Sequence, residues 1–142
     1  NAGGHMFQIW FDPDLNKTLK QEASYDDYSI DQFPLEEANG IKKIIYKGEG
    51  SPLSMDTPGI EILSYEITEG KQSISMDSSK VYSFYLVSGN AKIDGEELET
   101  DDFTIVQDVD ELAIESIGNS KFFVVASPKK INYNTYAKTM MQ

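Results

Sequence analysis

Short runs of apolar residues, separated by residues that favour turns, recur along most of this chain. These runs are rich in β-branched and aromatic residues, and no stretch keeps a helical period of about 3.6 residues. Strands bounded by turn signals every roughly 8–12 residues are typical of a sandwich or a barrel. The pattern therefore predicts an all-β fold. We predict strands over Phe7–Phe11, Ile41–Tyr46, Ile60–Thr68, Val81–Val87, Ala91–Ile93, Phe103–Val106, Leu112–Glu115 and Phe122–Ala126.

Turn signals indicate where the predicted strands end. Asp94–Gly95 is the strongest, because both central residues of the favoured hairpin turn need a positive φ. Ser88–Asn90 and Gly118–Asn119 are predicted to separate further pairs of strands. In the third predicted strand the apolar pattern changes phase between Ile62 and Leu63, which predicts a bulge or burial on both faces.

The two ends of the chain are less regular. Residues 1–6 resemble a vector remnant, so we interpret them as a tag and residues 7–142 as a single domain. Residues 14–40 are mostly polar with scattered apolar anchors, which predicts a long ordered loop with room for one helical turn. The tail from Pro128 is predicted to form either an edge strand or a short packing helix.

Charge and composition exclude several classes of partner. The 142 residues carry 24 carboxylates against 12 lysines, with no arginine, and the formal net charge is -12. Such a chain repels phosphate backbones, so we expect no binding to nucleic acid. No apolar run approaches the roughly 20 residues that span a bilayer, and no secretory leader is recognisable. We therefore expect a cytoplasmic protein that does not bind membranes.

Catalytic and metal-binding residue types are scarce. The chain has no cysteine, and its one histidine, His5, lies in the presumed tag. Barrels that bind redox metals use several imidazoles. Asp12–Asn16 imitates the start of a calcium loop, but Lys17 and Ala23 occupy the positions where that loop needs Gly and Glu. We therefore predict no catalytic residue, no metal and no other cofactor.

Aromatic residues are the remaining candidates for a binding site. They come from different predicted strands and loops, so a small barrel brings them inside. There they either fill the core or line an apolar pocket of about 300–1,000 Å³ for a small molecule. The candidate lining residues are Trp10, Tyr46, Tyr65, Tyr82, Phe84 and Tyr85.

Several segments resemble the pirin-like proteins, a family of two-cupin chains related to quercetin 2,3-dioxygenase. Phe7–Trp10, followed by Pro13, Lys17 and Tyr25, is similar to the crossing from the first cupin half to the second. The second half is matched by Ile44–Gly50, by Tyr85–Gly89 with Ile93–Glu96, and by Thr100–Phe103, although Gly is commoner than Asp101 at the start of that last step. The likeness is diffuse but extends over nearly the whole chain from Phe7.

The resemblance implies a cupin-type double-stranded β-helix, that is, a jelly-roll barrel. In the family, the first half carries a histidine-rich iron site, and some members oxidise quercetin-like flavonols. The second half usually lacks that site. The resemblance therefore identifies this chain as a C-terminal half to which no metal ligand can be carried over.

Three functions stay open at this point. The first is a non-catalytic, metal-free module with a structural or interaction role, which packs on a partner cupin domain or on a second copy of itself. Such a module exposes an apolar patch when its partner is missing. The second is a cupin that binds an apolar small molecule. The third is part of a flavonol dioxygenase whose metal site lies in a missing N-terminal half. In neither of the first two functions is the chain an enzyme on its own.

Overall fold

A computed structural model, which describes residues 3–4 and 6–141, divides the chain into two compact units. One unit contains the described residues up to Ser24, together with Met55–Pro58 and residues 132–141. The other contains Tyr25–Ser54 and Gly59–Ile131, and it holds every strand of the described chain. No helix in the described ranges is both long and apolar enough to cross a membrane.

The first unit is built around two short helices, α1 (Leu15–Thr18) and α2 (Tyr136–Met140). The Asp14 carboxylate caps α1 by accepting from the Asn16 amide at 3.1 Å. The Asp12 carboxylate accepts from the Tyr136 and Ala137 amides at 2.7 and 2.8 Å, which lowers its pKa. The acidic residues that imitate a calcium loop are therefore helix caps.

The second unit contains eight strands and one turn of 3₁₀-helix, Ile30–Gln32. The strands are β1 (Leu35–Ala38), β2 (Ile41–Lys47), β3 (Glu61–Ile67), β4 (Gly70–Ser75), β5 (Lys80–Ile93), β6 (Glu96–Leu98), β7 (Phe103–Gln107) and β8 (Glu111–Pro128).

All strand pairs are antiparallel, and two long strands organise the sheet. Its order is β1-β2-β3-β8-β5-β6, with β4 also paired to β8 and β7 also paired to β5. The first part of β5 pairs with β7 and the last part with β6; β8 likewise pairs with β4 and then with β3. Residues from all these parts share one hydrophobic core, so the sheet folds over itself around a single interior.

The predicted breaks at Ser88–Asn90 and Gly118–Asn119 are wrong, because both segments lie inside long strands. The pairing of β5 with β8 is irregular between Leu86 and Asn90. Gly89 has φ 97°, and a Cβ atom there would lie only 2.5 Å from the Asn119 carbonyl oxygen. This glycine thus marks a bulge where β8 approaches closely, and not the end of a strand.

Of the other predicted features, the hairpin and the buried pair of residues in β3 are confirmed, and the first strand is wrong. The Asp94–Gly95 hairpin joins β5 to β6, with φ values of 49° and 83°. Ile62 and Leu63 are both buried, so burial on both faces explains the change of phase. The predicted strand Phe7–Phe11 is wrong, since these residues have no strand structure.

Two strands were missed. β1 lies in the segment predicted as a loop, and β4 lies between the predicted strands Ile60–Thr68 and Val81–Val87, where no strand was predicted. Both are largely polar, and they join the sheet through their pairing with β2 and β8. The tail forms the short helix α2 rather than an edge strand.

Candidate functional site

The interior of the folded sheet is occupied by tightly packed aromatic and aliphatic side chains. The Phe84 ring stacks on Tyr65 with centroids 6.3 Å apart and meets the Phe122 ring edge-on at 5.8 Å. Such geometries add to the free energy gained from burying the rings. The side chains with no exposed surface are Phe84, Leu86, Leu112, Phe122, Val124 and Ala126.

The structure brings together three of the six predicted pocket residues. Tyr65, Tyr82 and Phe84 point inward from β3 and β5 and are buried in this core. Whether they bind a ligand stays a prediction. Their proximity follows from strand alternation, because Tyr82 and Phe84 are two residues apart on one strand.

The other three predicted pocket residues do not line the interior. Tyr46 and Tyr85 are half-buried, and each follows an inward-facing residue and so lies on the opposite face of its strand. Tyr46 packs against Phe33 and Phe123 there, with ring centroids at 5.1 and 6.2 Å. Trp10 belongs to the other compact unit and is 85% exposed.

The polar groups of the interior tyrosines Tyr65 and Tyr82 are constrained by their surroundings. The Tyr82 hydroxyl accepts from the Asp77 amide at 2.9 Å. Burial raises the pKa of the Tyr65 phenol above its ordinary value of 10, and the Tyr82, Glu61 and Glu36 groups raise it further. Tyr65 is therefore a neutral phenol at physiological pH.

Charged groups near Glu61 are paired. Lys80 forms an ion pair with the Glu61 carboxylate. Burial alone lowers the pKa of Lys80, but the hydrogen bond to Glu61 and the charges of Glu61, Tyr82 and Asp77 together outweigh this effect and raise the pKa overall. Lys47 donates to the Ile60 carbonyl at 2.7 Å, and burial lowers its pKa. These contacts hold β2, β3 and β5 together and leave no spare carboxylate at this point of the sheet.

Metal-ligating side chains are not assembled in the part of the chain that the structure describes. There, no three side chains from His, Cys, Asp and Glu come close enough together to hold an ion. His5 lies outside the described residues.

An open cleft of about 700 Å³ lies beside the turn between β1 and β2. Its walls include Glu37, Lys42, Glu66 and Lys121, of which Glu66 lies 3.7 Å from Lys42 and 3.9 Å from Lys121. The cleft has the size of a ligand site. However, its lining mixes charged residues with apolar ones such as Ile41 and Ile67, and none of the six predicted aromatic residues contributes to it.

The outward-facing residues of β7 form a contrasting surface. Phe103 and Ile105 are each 57% exposed, although both are large and apolar. The inward-facing Val106, on the same strand, is buried. We call Phe103, Ile105 and Gln107 the β7 face. Apolar residues exposed at a sheet edge are typical of surfaces that bind other proteins. Sequence reasoning missed this face, although the uncharged run Phe103–Gln107 between aspartates was its signal.

Comparison with known proteins identifies the fold. No protein-family model matches the sequence, and a search of curated proteins finds no match. Among solved structures, a quercetin 2,3-dioxygenase from Acinetobacter baumannii has a TM-score of 0.69, with 16% identity, over 91% of this chain and 50% of its own. A Cupin_2 domain of an XRE family transcriptional regulator from Enterobacter cloacae has a TM-score of 0.52, with 14% identity, over 65% of this chain and 100% of its own. This chain has a cupin fold.

The predicted resemblance to two-cupin, pirin-like proteins is confirmed at the level of fold. The bacterial pirin YhhW from Escherichia coli, solved in complex with nickel(II), has a TM-score of 0.50 and 18% identity over 56% of this chain and 34% of its own. The chain thus covers 50% of the length of the dioxygenase and 34% of the length of the pirin. That it corresponds to their C-terminal half, and that its domain begins at residue 7, stay predictions.

Proposed function

We propose that this cupin is a non-catalytic domain without a metal of its own, and that it acts as a structural and interaction module. The packing of Phe84 against Tyr65 and Phe122 in the middle of the barrel supports this most strongly. A cupin that binds a redox ion needs nitrogen or oxygen ligands directed inward. Here hydrocarbon rings occupy the centre, and the interior serves as the core that stabilises the domain.

The polar atoms of the interior tyrosines support the same proposal. The Tyr82 hydroxyl is engaged by the Asp77 amide, and the Tyr65 phenol keeps its proton because burial raises its pKa. A neutral phenol is a poor ligand for iron, nickel, copper or zinc. The Tyr82 hydroxyl thus already has a hydrogen-bond partner, and the Tyr65 phenol supplies no base at neutral pH.

The β7 face supports an interaction role. Exposed Phe103 and Ile105 are costly to leave in water unless a partner covers them. The dioxygenase neighbour is about twice as long as the region that matches this chain. A second cupin domain, carried by another protein chain, is therefore the partner we propose.

Metal loading combined with a flavonol assay tests the non-catalytic proposal. The full chain is incubated separately with Fe²⁺, Ni²⁺, Cu²⁺ and Mn²⁺, and desalted, and quercetin absorbance is then followed. The Acinetobacter baumannii quercetin dioxygenase provides the positive control. We expect no quercetin loss above that in buffer. Turnover accompanied by about one equivalent of retained metal would overturn the proposal.

A second candidate function is favoured by the dioxygenase neighbour. In it, the domain is one half of a flavonol dioxygenase, and the metal is bound by another cupin half of the parent protein. The open reading frame of the parent decides between the candidates. A histidine-rich cupin encoded upstream supports the dioxygenase, and a native start at Met6 removes it.

A further inference from the structure

The backbone of β7 presents a free hydrogen-bonding edge. The Leu86 amide donates to the Asp102 carbonyl at 2.9 Å. Because hydrogen-bonded pairs alternate in an antiparallel ladder, the pairs Phe84–Thr104 and Tyr82–Val106 are also bonded. The amides and carbonyls of the β7 face therefore point away from β5, and within the described chain β7 pairs with β5 alone.

A shallow groove runs along this free edge. It has a volume of about 260 Å³ and lies between β7 and β6. Its walls include the apolar residues Leu98, Val106 and Val109 and the carboxylates Asp94 and Glu96. An added strand would thus find backbone partners along β7, apolar contacts on both sides of the sheet, and acidic groups nearby.

The charge around the groove is strongly negative. Residues 93–120 contain ten of the 24 carboxylates of the chain and none of its 12 lysines. Two of these ten carboxylates already pair with lysines outside the segment, Asp108 with Lys129 and Glu97 with Lys92. The aspartates Asp101, Asp102 and Asp108 flank the uncharged β7 directly. A strand with basic ends therefore complements this edge.

A second copy of the chain does not complement it. In an antiparallel pair of β7 strands centred on Ile105, Asp102 of each copy would lie opposite Asp108 of the other. Like charges directly across a ladder are destabilising. Charges beside an edge strand are a known protection against self-pairing. Here the negative charges disfavour a partner strand with acidic ends and favour one with basic ends.

From these observations we propose that the free edge of β7 binds an extended segment of a partner protein as an added β-strand. The segment carries apolar or β-branched residues at its centre, against Phe103 and Ile105. It carries lysine or arginine at both ends, against Asp102 at one and against Asp108, whose carboxylate is shared with Lys129, at the other. Backbone hydrogen bonds supply affinity in this mode of recognition, and the end charges supply selectivity. The inference rests on the proposed interaction role and specifies its partner.

Amide hydrogen exchange with designed peptides tests the proposal. The probe peptide has a centre of five alternating threonine and valine residues, with two lysines at each end. One control peptide has glutamates in place of the lysines, and another has the lysines but a central proline. We expect the lysine probe to slow exchange of the Phe103, Ile105 and Gln107 amides at least about tenfold, because only these amides gain a partner. The Thr104 and Val106 amides, already bonded, serve as the internal reference.

Variants at Ile105 separate strand addition from simple charge attraction. Ile105→Pro removes one free amide and is tolerated because that amide faces the open edge, whereas Ile105→Thr keeps it. We expect the first variant to bind the lysine probe at least about tenfold more weakly than the second. Raising salt from about 50 to 500 mM should weaken binding by a similar factor. If Ile105→Pro does not fold, the exchange measurement on the unmodified chain decides alone.

Three results would overturn the inference. They are no binding at roughly 1 mM probe, equal binding of the proline-interrupted peptide, and protection of the same three amides at high protein concentration without peptide. The last result would identify a second copy as the occupant. None of them affects the metal and quercetin assay, so failure of this inference and failure of the non-catalytic proposal can be told apart.

Discussion

The two faces of the β5–β7 pair have similar side chains but opposite environments. On the inner face, Phe84 and Val106 are buried in the barrel core. On the outer face, Phe103 and Ile105 are more than half exposed. Alternation along a strand usually places apolar residues on one side and polar residues on the other. A strand that is apolar on both sides therefore shows where the domain has a surface that is unsuited to water.

The contrast also separates stability from binding. Inner residues contribute to the free energy of unfolding because their removal leaves a cavity that the core fills poorly. Outer residues on an edge strand contribute little to folding, so their apolar character needs another explanation. The following predictions test this division from the largest expected effect to the smallest.

Removing the central ring should have the largest effect. Phe84→Ala is expected to lower the free energy of unfolding by about 3–5 kcal/mol, because the contacts with Tyr65 and Phe122 are lost and a cavity remains. Phe103→Ala, the matched change on the outer face, is expected to cost less than about 1 kcal/mol. Urea unfolding of both variants measures the difference. Equal losses of unfolding free energy in the two variants would contradict the division between a stabilising inner face and a binding outer face.

A methyl group at the β5 bulge should have the next largest effect. Gly89→Ala places a Cβ 2.5 Å from the Asn119 carbonyl oxygen and is expected to cost more than about 2 kcal/mol. Gly95→Ala is the control, because its φ is also positive but nothing lies within 4 Å of the added atom. It should cost about 1 kcal/mol. Similar unfolding midpoints for the two variants would show that the approach of β8 to Gly89 is not tight.

The interior phenol should make stability depend on alkaline pH. The pKa of Tyr65 is raised by burial in the folded state, so its stabilising contribution is fully present below pH 10 and is lost as pH rises from 10 towards the folded pKa. In Tyr65→Phe, the free energy of unfolding should therefore fall less steeply above pH 10. Tyr85→Phe is the outer-face control. The pKa of Tyr85 is raised by its hydrogen bond to Asp101, a bond at the surface of the domain where solvent weakens the effect. If the slope of the unfolding free energy against pH changes more in Tyr85→Phe than in Tyr65→Phe, the alkaline effect does not come from Tyr65.

A charge on the outer face should have the smallest effect on folding. Ile105→Lys is expected to change the free energy of unfolding by no more than about 0.5 kcal/mol, since the side chain already contacts water. Circular dichroism with thermal unfolding measures this. A loss comparable with that of Phe84→Ala would mean that the β7 face is part of the fold rather than a binding surface.

Much of the fold could be predicted from apolar pattern and turn chemistry. The strands at Ile41, Ile60 and Phe103, and the hairpin at Asp94–Gly95, are close to their predicted places. Glycine was a less reliable signal for the ends of strands. Gly118 and Gly89 were interpreted as ends of strands, whereas both lie within strands, and only the position of β8 explains the bulge at Gly89.

Polar strands and surfaces could not be predicted in the same way. β1 and β4 are mostly polar and form because β2 and β8 offer them a free edge, which the local sequence does not encode. Conversely, Phe7–Phe11 has the alternation of a strand but forms no strand in the described structure. The six candidate pocket residues were chosen by type, and type alone does not distinguish the two faces of a strand for Tyr46 and Tyr85.

The most direct test of the account is the metal content of the full chain after exposure to iron, nickel, copper and zinc, measured by elemental analysis. His5→Ala provides the control for the single imidazole. A core of hydrocarbon side chains around Phe84 predicts less than about 0.1 equivalent of each metal in the variant. About one equivalent of any of them, retained in His5→Ala and accompanied by shifts in the NMR signals of Phe84 and Leu112, would contradict it.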